Sequence, residues 1–194
     1  ALEVLAGRHS VTAAVAAIET RTLHLSTADL IEVLEDNVGV LLSVVREFAR
    51  RMLAVAVPTV TRPPPPSLGG PLGLVERLIL LRQQVPFIGA RLQGLATLAH
   101  ASEEVSWPTG AVVVRAGELA LASSLEIAGR LRECRADGKS RELGPGQLIG
   151  GLETLAGVGH GATLEALTPV RALATSATTI FDVLEDHPDV GVSM

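Results

Sequence analysis

A glycine-rich segment in the carboxyl-terminal half, residues 144–163, constrains the fold of this chain more than any other feature. It follows a polar turn and leads into a short apolar pattern with helical spacing. Part of it, Leu-Glu-Thr-Leu-Ala-Gly at residues 152–157, recurs as Leu-Glu-Val-Leu-Ala-Gly at residues 2–7. Similarly, Asp-Val-Leu-Glu-Asp at residues 182–186 is echoed by Glu-Val-Leu-Glu-Asp at residues 32–36, with the same offset of 150 residues. The chain therefore contains an internal repeat, with one copy whole and the other cut.

The composition excludes several classes of partner. Apolar residues make up 47% of the 194 residues, enough for a buried core, but aromatic residues only 2%, so that core must be aliphatic. Few aromatic residues and a formal net charge of −5 argue against nucleic acid, which is bound by stacking and by clustered basic residues. No apolar run approaches the ~18 residues that span a bilayer. We therefore expect neither nucleic acid nor membrane as a partner of this chain.

The single cysteine, Cys134, can form no internal disulfide and indicates no metal framework. No Ser/His/Asp set, Cys/His pair or pair of carboxylates stands in a supporting context, so we expect no enzyme, no catalytic residue, no cofactor and no metal site. A reducing, cytoplasmic location is the default, since no signal peptide is visible. Because the chain opens in mid-pattern without methionine, we expect it to be an excerpt of a longer protein.

Proline marks the boundary between two predicted domains. Residues 58–72 include four consecutive prolines, which exclude a helix or a central strand and indicate a stiff polyproline spacer. A proline-rich recognition ligand is the alternative interpretation. We assign residues 1–57 to the carboxyl-terminal part of a first domain, and residues 73–194 to a second domain.

The first domain combines a predicted strand with predicted helices. Residues 20–25 alternate between apolar and polar side chains, which predicts a half-buried strand. Since its neighbours in the domain are missing, we expect this strand and residues 11–18 to pair with another chain or with sequence outside this one. A hydroxyl at Ser26, with Asp29 three residues later, predicts a helix start. Residues 40–54 form an amphipathic pattern that suits a helix packed either on its own domain or against a partner.

Helical patterns come first in the second domain, at residues 74–81 and 92–99. Short β-prone runs separated by glycine turns follow, and a helical pattern comes last. The β-prone runs are residues 103–107, 111–115, 125–128, 130–135, 164–167 and 170–174, and the last helical pattern is residues 178–185. This order predicts a small β-roll or barrel flanked by helices.

The order and spacing of these motifs are similar to those of the cyclic nucleotide-binding domain family, of the catabolite activator protein and protein kinase A regulatory subunit type. The resemblance covers nearly all of residues 74–190 and again residues 1–57. The motifs that carry it are residues 78–87, 110–118, 129–131 and 143–150. It implies a mainly β fold with flanking α-helices, a cyclic nucleotide-binding-like β-roll (jelly-roll barrel), with one whole copy and one partial copy. It also implies a regulatory or sensory role within a larger protein.

In that family the glycine-rich segment is the phosphate-binding cassette, where backbone N–H groups and an arginine hold the cyclic phosphate and a glutamate accepts the ribose hydroxyl. The resemblance places Gly151 at the glutamate position and His160 at the arginine position. In the cut copy, Ala1 stands at the glutamate position. The arginine position falls there on Ser10, or on His9 with a shift of one residue. Both copies therefore lack the acid and the permanent cation.

The resemblance assigns the ligand site to Gly150, Gly151, Leu152, His160, Gly161, Ala162 and Thr163. In a first hypothesis, the chain is a non-catalytic regulatory or sensory module with cyclic nucleotide binding weak or lost, and its partner is a second copy or another domain of the same protein. In a second, it is a functional cyclic AMP or cyclic GMP receptor with His160 as the phosphate contact. Histidine is the weaker anion partner, since it is only partly protonated at neutral pH. A polar residue on a degenerate loop and a metal ligand are further interpretations of His160.

Overall fold

The structure, a computed structural model, describes residue 13 and residues 15–55, 70–84 and 87–193. The helices in these ranges are α1 (Thr27–Asp36), α2 (Val38–Val55), α3 (Leu74–Arg82), α4 (Leu92–Ala101), α5 (Gly151–Ala156), α6 (Ala177–Asp186) and α7 (Pro188–Ser193). The strands are β1 (Glu103–Trp107), β2 (Val112–Val114), β3 (Ala122–Ala128), β4 (Leu131–Arg135), β5 (Ser140–Leu143), β6 (Leu148–Ile149), β7 (Ala162–Ala166) and β8 (Val170–Ser176). Most of the proline-rich spacer lies outside the described residues, as do Ala1, His9 and Ser10 of the cut cassette. None of the described helices has both the length and the apolar character to cross a bilayer.

The strands form two antiparallel sheets of four, in the orders β1-β8-β3-β6 and β2-β7-β4-β5. A buried apolar cluster contains residues from both sheets, so the sheets pack face to face. Its buried members are Leu131, Ile149, Leu164, Ala166 and Val170. With helices before and after the strands, this arrangement confirms the predicted β-roll with flanking helices.

The side chains of strand β3 alternate between two cores. Leu125 and Ile127 belong to the larger core, which also contains residues of the flanking helices. Ser124 and Glu126 therefore point to the opposite face, toward the second sheet, and both are buried. The interior surface of the first sheet is thus partly polar.

Helices α3, α4, α6 and α7 cover the outer face of the first sheet and share its core. The approach of α4 to α7 depends on Gly94. A Cβ atom at Gly94 would lie 2.6 Å from Cγ2 of Val190 and 2.9 Å from Cβ of His187. Only a residue without a side chain leaves room for this helix contact.

Helices α1 and α6 begin in the same way. Ser26 precedes α1 in an extended conformation, and its hydroxyl oxygen accepts a hydrogen bond of 3.1 Å from the backbone N–H of Asp29. Ser176 precedes α6 in the same conformation and accepts a bond of 3.0 Å from the N–H of Thr179. Both are serine N-caps, so the helix start predicted from Ser26 and Asp29 is confirmed.

Helices α1 and α2 pack against α5 and α7. Leu34, Leu41 and Val45 form a buried cluster against which Leu155 of α5 and Val192 of α7 pack. The amphipathic helix predicted in this region is present as α2. Its buried face contacts α5 and α7, which follow the proline-rich spacer in the sequence.

Two arginines of α2 reinforce this contact. The guanidinium group of Arg46 lies over the ring of Phe181 in α6, 4.7 Å from its centroid. Nε of Arg50 donates a hydrogen bond of 3.3 Å to the carbonyl oxygen of Ala156, the last residue of α5. Because the carboxyl end of a helix carries a partial negative charge, a cation is favoured there.

The strand predicted at residues 20–25 is wrong. These residues form no strand, and Leu23 is 95% exposed. Residue 13 and residues 15–18 likewise form no strand, and the rest of the 11–18 run lies outside the described residues. Alternation alone does not make a strand, because its backbone needs a neighbour to bond with. Residues 20–25 take part in none of the described strand pairings, and pairing of this segment with another chain stays a prediction.

Candidate functional site

A cavity of about 320 Å³ lies between the two sheets, within the size range of small-molecule sites. Both sheets and two loops contribute to its wall. The lining residues are Val105, Trp107, Val113, Val114, Glu118, Leu119, Ala122, Ser124, Ile149, His160 and Ala174. The wall is therefore mostly apolar, with a few polar groups that could orient a ligand.

Among the predicted site residues, His160 lines this cavity. It lies beside Gly150, the residue before α5, whose φ of +69° is in the left-handed region that favours glycine. A Cβ atom at Gly150 would lie 2.9 Å from Cε1 of His160 and 3.0 Å from the carbonyl oxygen of Ala122. Glycine at position 150 thus leaves room for the imidazole at the cavity wall.

The backbone of His160 is held by the loop that follows β2. Its N–H donates to the carbonyl oxygen of Glu118 at 2.9 Å, and its carbonyl oxygen accepts from the N–H of Gly117 at 2.8 Å. A Cβ atom at Gly159 would lie 2.7 Å from the carbonyl oxygen of Gly117, so this approach also requires glycine. The two loops are therefore fixed against each other beside the cavity.

The remaining predicted site residues do not line the cavity. Gly151 is buried at the start of α5, where a Cβ atom would lie 2.5 Å from Cδ2 of Leu148. The hydroxyl oxygen of Thr163 accepts a hydrogen bond of 3.1 Å from the N–H of Ala116. Leu152, Gly161 and Ala162 are partly buried or exposed residues outside the lining. The structure thus brings Gly150 and His160 together and leaves the others at the periphery.

The electrostatics of the wall are unfavourable for an anion. Among the described lining residues, Glu118 carries a carboxylate and none is lysine or arginine. Arg115 lies 3.6 Å from Glu118, but the two side chains are 63% and 57% exposed, so this ion pair is screened by solvent. No group of three or more His, Cys, Asp or Glu residues in the described part of the chain could hold a metal ion.

Sequence reasoning missed one residue of this interior, Glu126. It is 0% exposed, and neither carboxylate oxygen has a hydrogen-bond partner among the described residues. Burial raises the pKa of Glu126 from its ordinary value of 4.5 to about 7. The signal in the sequence was its place between Leu125 and Ile127, where strand alternation would put a carboxylate inside the roll.

Solved structures with the same fold come from bacterial regulators and from protein kinase A. The N-terminal domain of a transcriptional regulator from Streptomyces coelicolor A3(2) is 26% identical, with a TM-score of 0.52 over 59% of this chain and 83% of that chain. A cyclic nucleotide-binding-like protein from Brucella abortus is 19% identical, with a TM-score of 0.51 over 57% and 98%. The regulatory domain of Toxoplasma gondii PKA, solved with cAMP, is 21% identical, with a TM-score of 0.53 over 58% and 45%.

No protein-family model and no curated protein matches the chain by sequence. The structural matches cover a little under two thirds of the chain. They agree with the two packed sheets of four strands and the flanking helices. The chain has the β-roll fold of the cyclic nucleotide-binding domain family.

Proposed function

We propose that this chain is a non-catalytic regulatory or sensory module of a larger protein, in which cyclic nucleotide binding is weak or lost. The observation that carries this proposal is the charge of the cavity wall. Its described lining contains the carboxylate of Glu118, and His160 stands where the family cassette has arginine. A cyclic phosphate would enter this cavity as an anion and meet no permanent cation in its wall.

The expected loss of affinity is large. A hydrogen bond to a charged group contributes about 1.5–3 kcal/mol, and both the arginine and the glutamate of the cassette are replaced, by His160 and Gly151. Together these replacements remove about 3–6 kcal/mol, or roughly two to four powers of ten in affinity. A receptor with a dissociation constant of about 1 μM would become one with a dissociation constant of about 0.1–10 mM.

The regulatory part of the proposal is supported by the contact between α2 and α5. Helix α5 belongs to the glycine-rich segment beside the cavity, and its Leu155 packs against Leu34, Leu41 and Val45. A ligand or partner that shifts α5 would act directly on α2. Such a shift requires that the ligand binds the two arrangements with different affinity.

The second candidate function, a cyclic AMP or cyclic GMP receptor that uses His160, is favoured by one observation. The His160 side chain lines the cavity, and the backbone bonds to Glu118 and Gly117 hold it in place. A protonated imidazole there would be a hydrogen-bonding contact for an anion.

Calorimetric titration with cyclic AMP and cyclic GMP separates the two candidates. For the wild-type chain we expect either no binding or a dissociation constant of about 0.1 mM or weaker. His160→Arg should raise the affinity by about tenfold or more, because it returns the permanent cation of the cassette.

His160→Ala is the matched control, since it leaves neither an imidazole nor a guanidinium group at this position. Micromolar binding by the wild-type chain would contradict the proposal. Binding by the wild-type chain that disappears in His160→Ala would instead support the receptor.

A further inference from the structure

Two pairs of helices correspond to each other through the sequence repeat, and both pairs have the same local geometry. At the offset of 150 residues, α1 is matched by α6, and the first six residues of α2 are matched by α7. Each pair begins at a serine cap, Ser26 or Ser176. The residue between the helices has φ and ψ of −127° and 76° at Asn37, and of −135° and 72° at His187. The same turn therefore joins the two helices of each pair.

The contacts between the two pairs are exchanged by the same offset. Helix α1 contacts α7, and α2 contacts α6. These two contacts are equivalent, because α1 corresponds to α6 and α2 to α7. In addition, α2 contacts α7, which is its own counterpart. An interface with two-fold symmetry has this pattern, since residue i of one half contacts residue j of the other, and j of the first contacts i of the second.

Individual side chains follow the same exchange. Val192 of α7 packs against the buried cluster that contains Leu34 of α1. The counterpart of Val192 is Leu42 of α2, which belongs to the buried cluster that contains Leu184 of α6. Leu184 is in turn the counterpart of Leu34. The apolar contacts on the two sides of the interface are therefore equivalent.

Leu41 and Gly191 are counterparts that face each other at the centre of this arrangement. A Cβ atom at Gly191 would lie 3.1 Å from Cδ2 and 3.3 Å from Cγ of Leu41. Leu41 is 1% exposed, and Gly191 is also buried. Corresponding residues of two halves contact each other where a two-fold axis crosses the interface. The contact between Leu41 and Gly191 thus marks the position of such an axis.

We propose that α1–α2 and α6–α7 are the two halves of an isologous interface inside one chain, an internal pseudo-dimer whose approximate two-fold axis passes between Leu41 and Gly191. The surface of α6 and α7 is therefore a docking surface, and its partner is the helix pair of the other repeat copy. This pairing does not depend on whether the cavity binds a cyclic nucleotide.

The difference between the two residues on the axis makes the pairing selective. Leucine on one side fills the space that glycine leaves on the other. Two α1–α2 pairs would bring one leucine side chain against another at the axis, which overpacks the interface. Two α6–α7 pairs would place glycine against glycine and leave a void. Specific association often combines a favourable contact with such penalties against the alternative partners, and here they favour the pairing of unlike halves within the chain.

A disulfide across the axis tests the internal pairing in the full chain. Cys134 is exposed, so Cys134→Ser provides the background. Leu41→Cys with Gly191→Cys should form a disulfide under mild oxidation, since a disulfide joins Cβ atoms about 3.5–4.5 Å apart. Electrophoresis without reductant should show a monomer that migrates faster than the reduced chain, and mass spectrometry should identify the linked peptides. Ser43→Cys with Gly191→Cys is the matched control and should stay reduced, because Ser43 is exposed about 200° around α2 from Leu41.

Exchanging the sizes of the two residues tests their contact independently. Leu41→Ala leaves a void and Gly191→Leu overpacks the axis, so each should lower the midpoint of thermal unfolding by about 4 °C or more. In the double variant, the leucine at position 191 fills the space vacated at position 41. Its midpoint should lie at least about 4 °C above the value expected if the two effects added. Leu41→Ala with Gly94→Ala is the control and should be additive, since a Cβ atom at Gly94 would meet Val190 and His187 instead.

Hydrogen exchange tests the symmetry itself. Leu42→Ala should accelerate exchange in α6, and Val192→Ala should accelerate it in α1, because each side chain packs with the helix that corresponds to the other's partner. Exchange that changes in only one direction overturns the two-fold relation. A disulfide between two chains would place the partner helices on a second copy and overturn the internal pairing, as would the absence of any disulfide or additive effects at positions 41 and 191. The disulfide test does not require the packing variants to fold.

Discussion

Glu126 and Glu104 are both strand carboxylates, but their surroundings shift their pKa values in opposite directions. A hydrogen bond of 2.7 Å from Arg171 lowers the pKa of Glu104, and a bond from the N–H of Leu72 lowers it further. Glu104 therefore stabilises the fold above its unfolded pKa, and this contribution is lost as the pH falls through the lowered value. Burial raises the pKa of Glu126 from 4.5 to about 7. The stability that the protonated carboxyl group contributes to the fold is therefore complete below about pH 4.5 and is lost as the pH rises through about 7.

Replacing Glu126 by glutamine should remove its part of this pH dependence. The shift corresponds to roughly 3 kcal/mol of unfolding free energy. We expect the wild-type chain to lose about that much stability relative to Glu126→Gln between about pH 4.5 and about pH 7.5. Urea denaturation at several pH values measures the difference, with Glu118→Gln as the control for an exposed glutamate. Parallel stability curves for the wild-type chain and Glu126→Gln would contradict the prediction.

At the scale of elements, the close approach of α4 and α7 depends on Gly94, which has no side chain. Gly94→Ala would place a Cβ atom 2.6 Å from Cγ2 of Val190, and the helices would have to move apart. We expect a loss of roughly 1–3 kcal/mol in unfolding free energy, measured by thermal or urea denaturation. Gly39→Ala in α2 is the matched control, because its Cβ atom would meet nothing within 4 Å. That variant should be more stable by about 0.5–1 kcal/mol, and equal effects of the two substitutions would refute the packing argument.

Elements with a strong local signal were predictable from the sequence. The serine cap at Ser26 and the helical spacing of residues 40–54 match α1 and α2, and the β-prone runs match the strands of the roll. The strand expected at residues 20–25 failed because a strand depends on a neighbour that sequence periodicity does not specify. Elements whose formation rests on distant partners are thus the ones that a local pattern predicts poorly.

The candidate site was predictable only in part, for a related reason. The family resemblance singled out Gly150 and His160, which the structure brings together beside the cavity. It did not single out Glu126, since a glutamate in a strand is ordinary until the pairing of that strand shows what surrounds it. Glu133, on the interior face of β4, is also buried but bonds to two arginines, and the sequence alone does not distinguish the two residues.

For the whole molecule, the packing of α2 joins the segment before the proline-rich spacer to α5 and α7 by direct contact. Leu41 is 1% exposed, and Gly191 of α7 approaches it so closely that a Cβ atom there would lie 3.1 Å from Cδ2 of Leu41. Leu155 of α5 packs against the same cluster. The position of α2 is therefore coupled to the glycine-rich segment without any need for the proline-rich spacer to transmit it.

Leu41→Ala should reveal this coupling in the second copy. Removing a buried leucine side chain costs about 2–5 kcal/mol, and here the cavity would open between α2, α5 and α7. Hydrogen exchange followed by mass spectrometry should show faster exchange in residues 150–160 and 188–193 as well as in α2, because these segments lose a shared contact. Val44→Ala is the control, since Val44 is on the same helix but 38% exposed, and it should leave exchange in residues 150–160 unchanged. Faster exchange confined to α2 in Leu41→Ala would contradict this prediction. Helix α2 would then not be the element through which a structural change beside the cavity reaches residues 27–55.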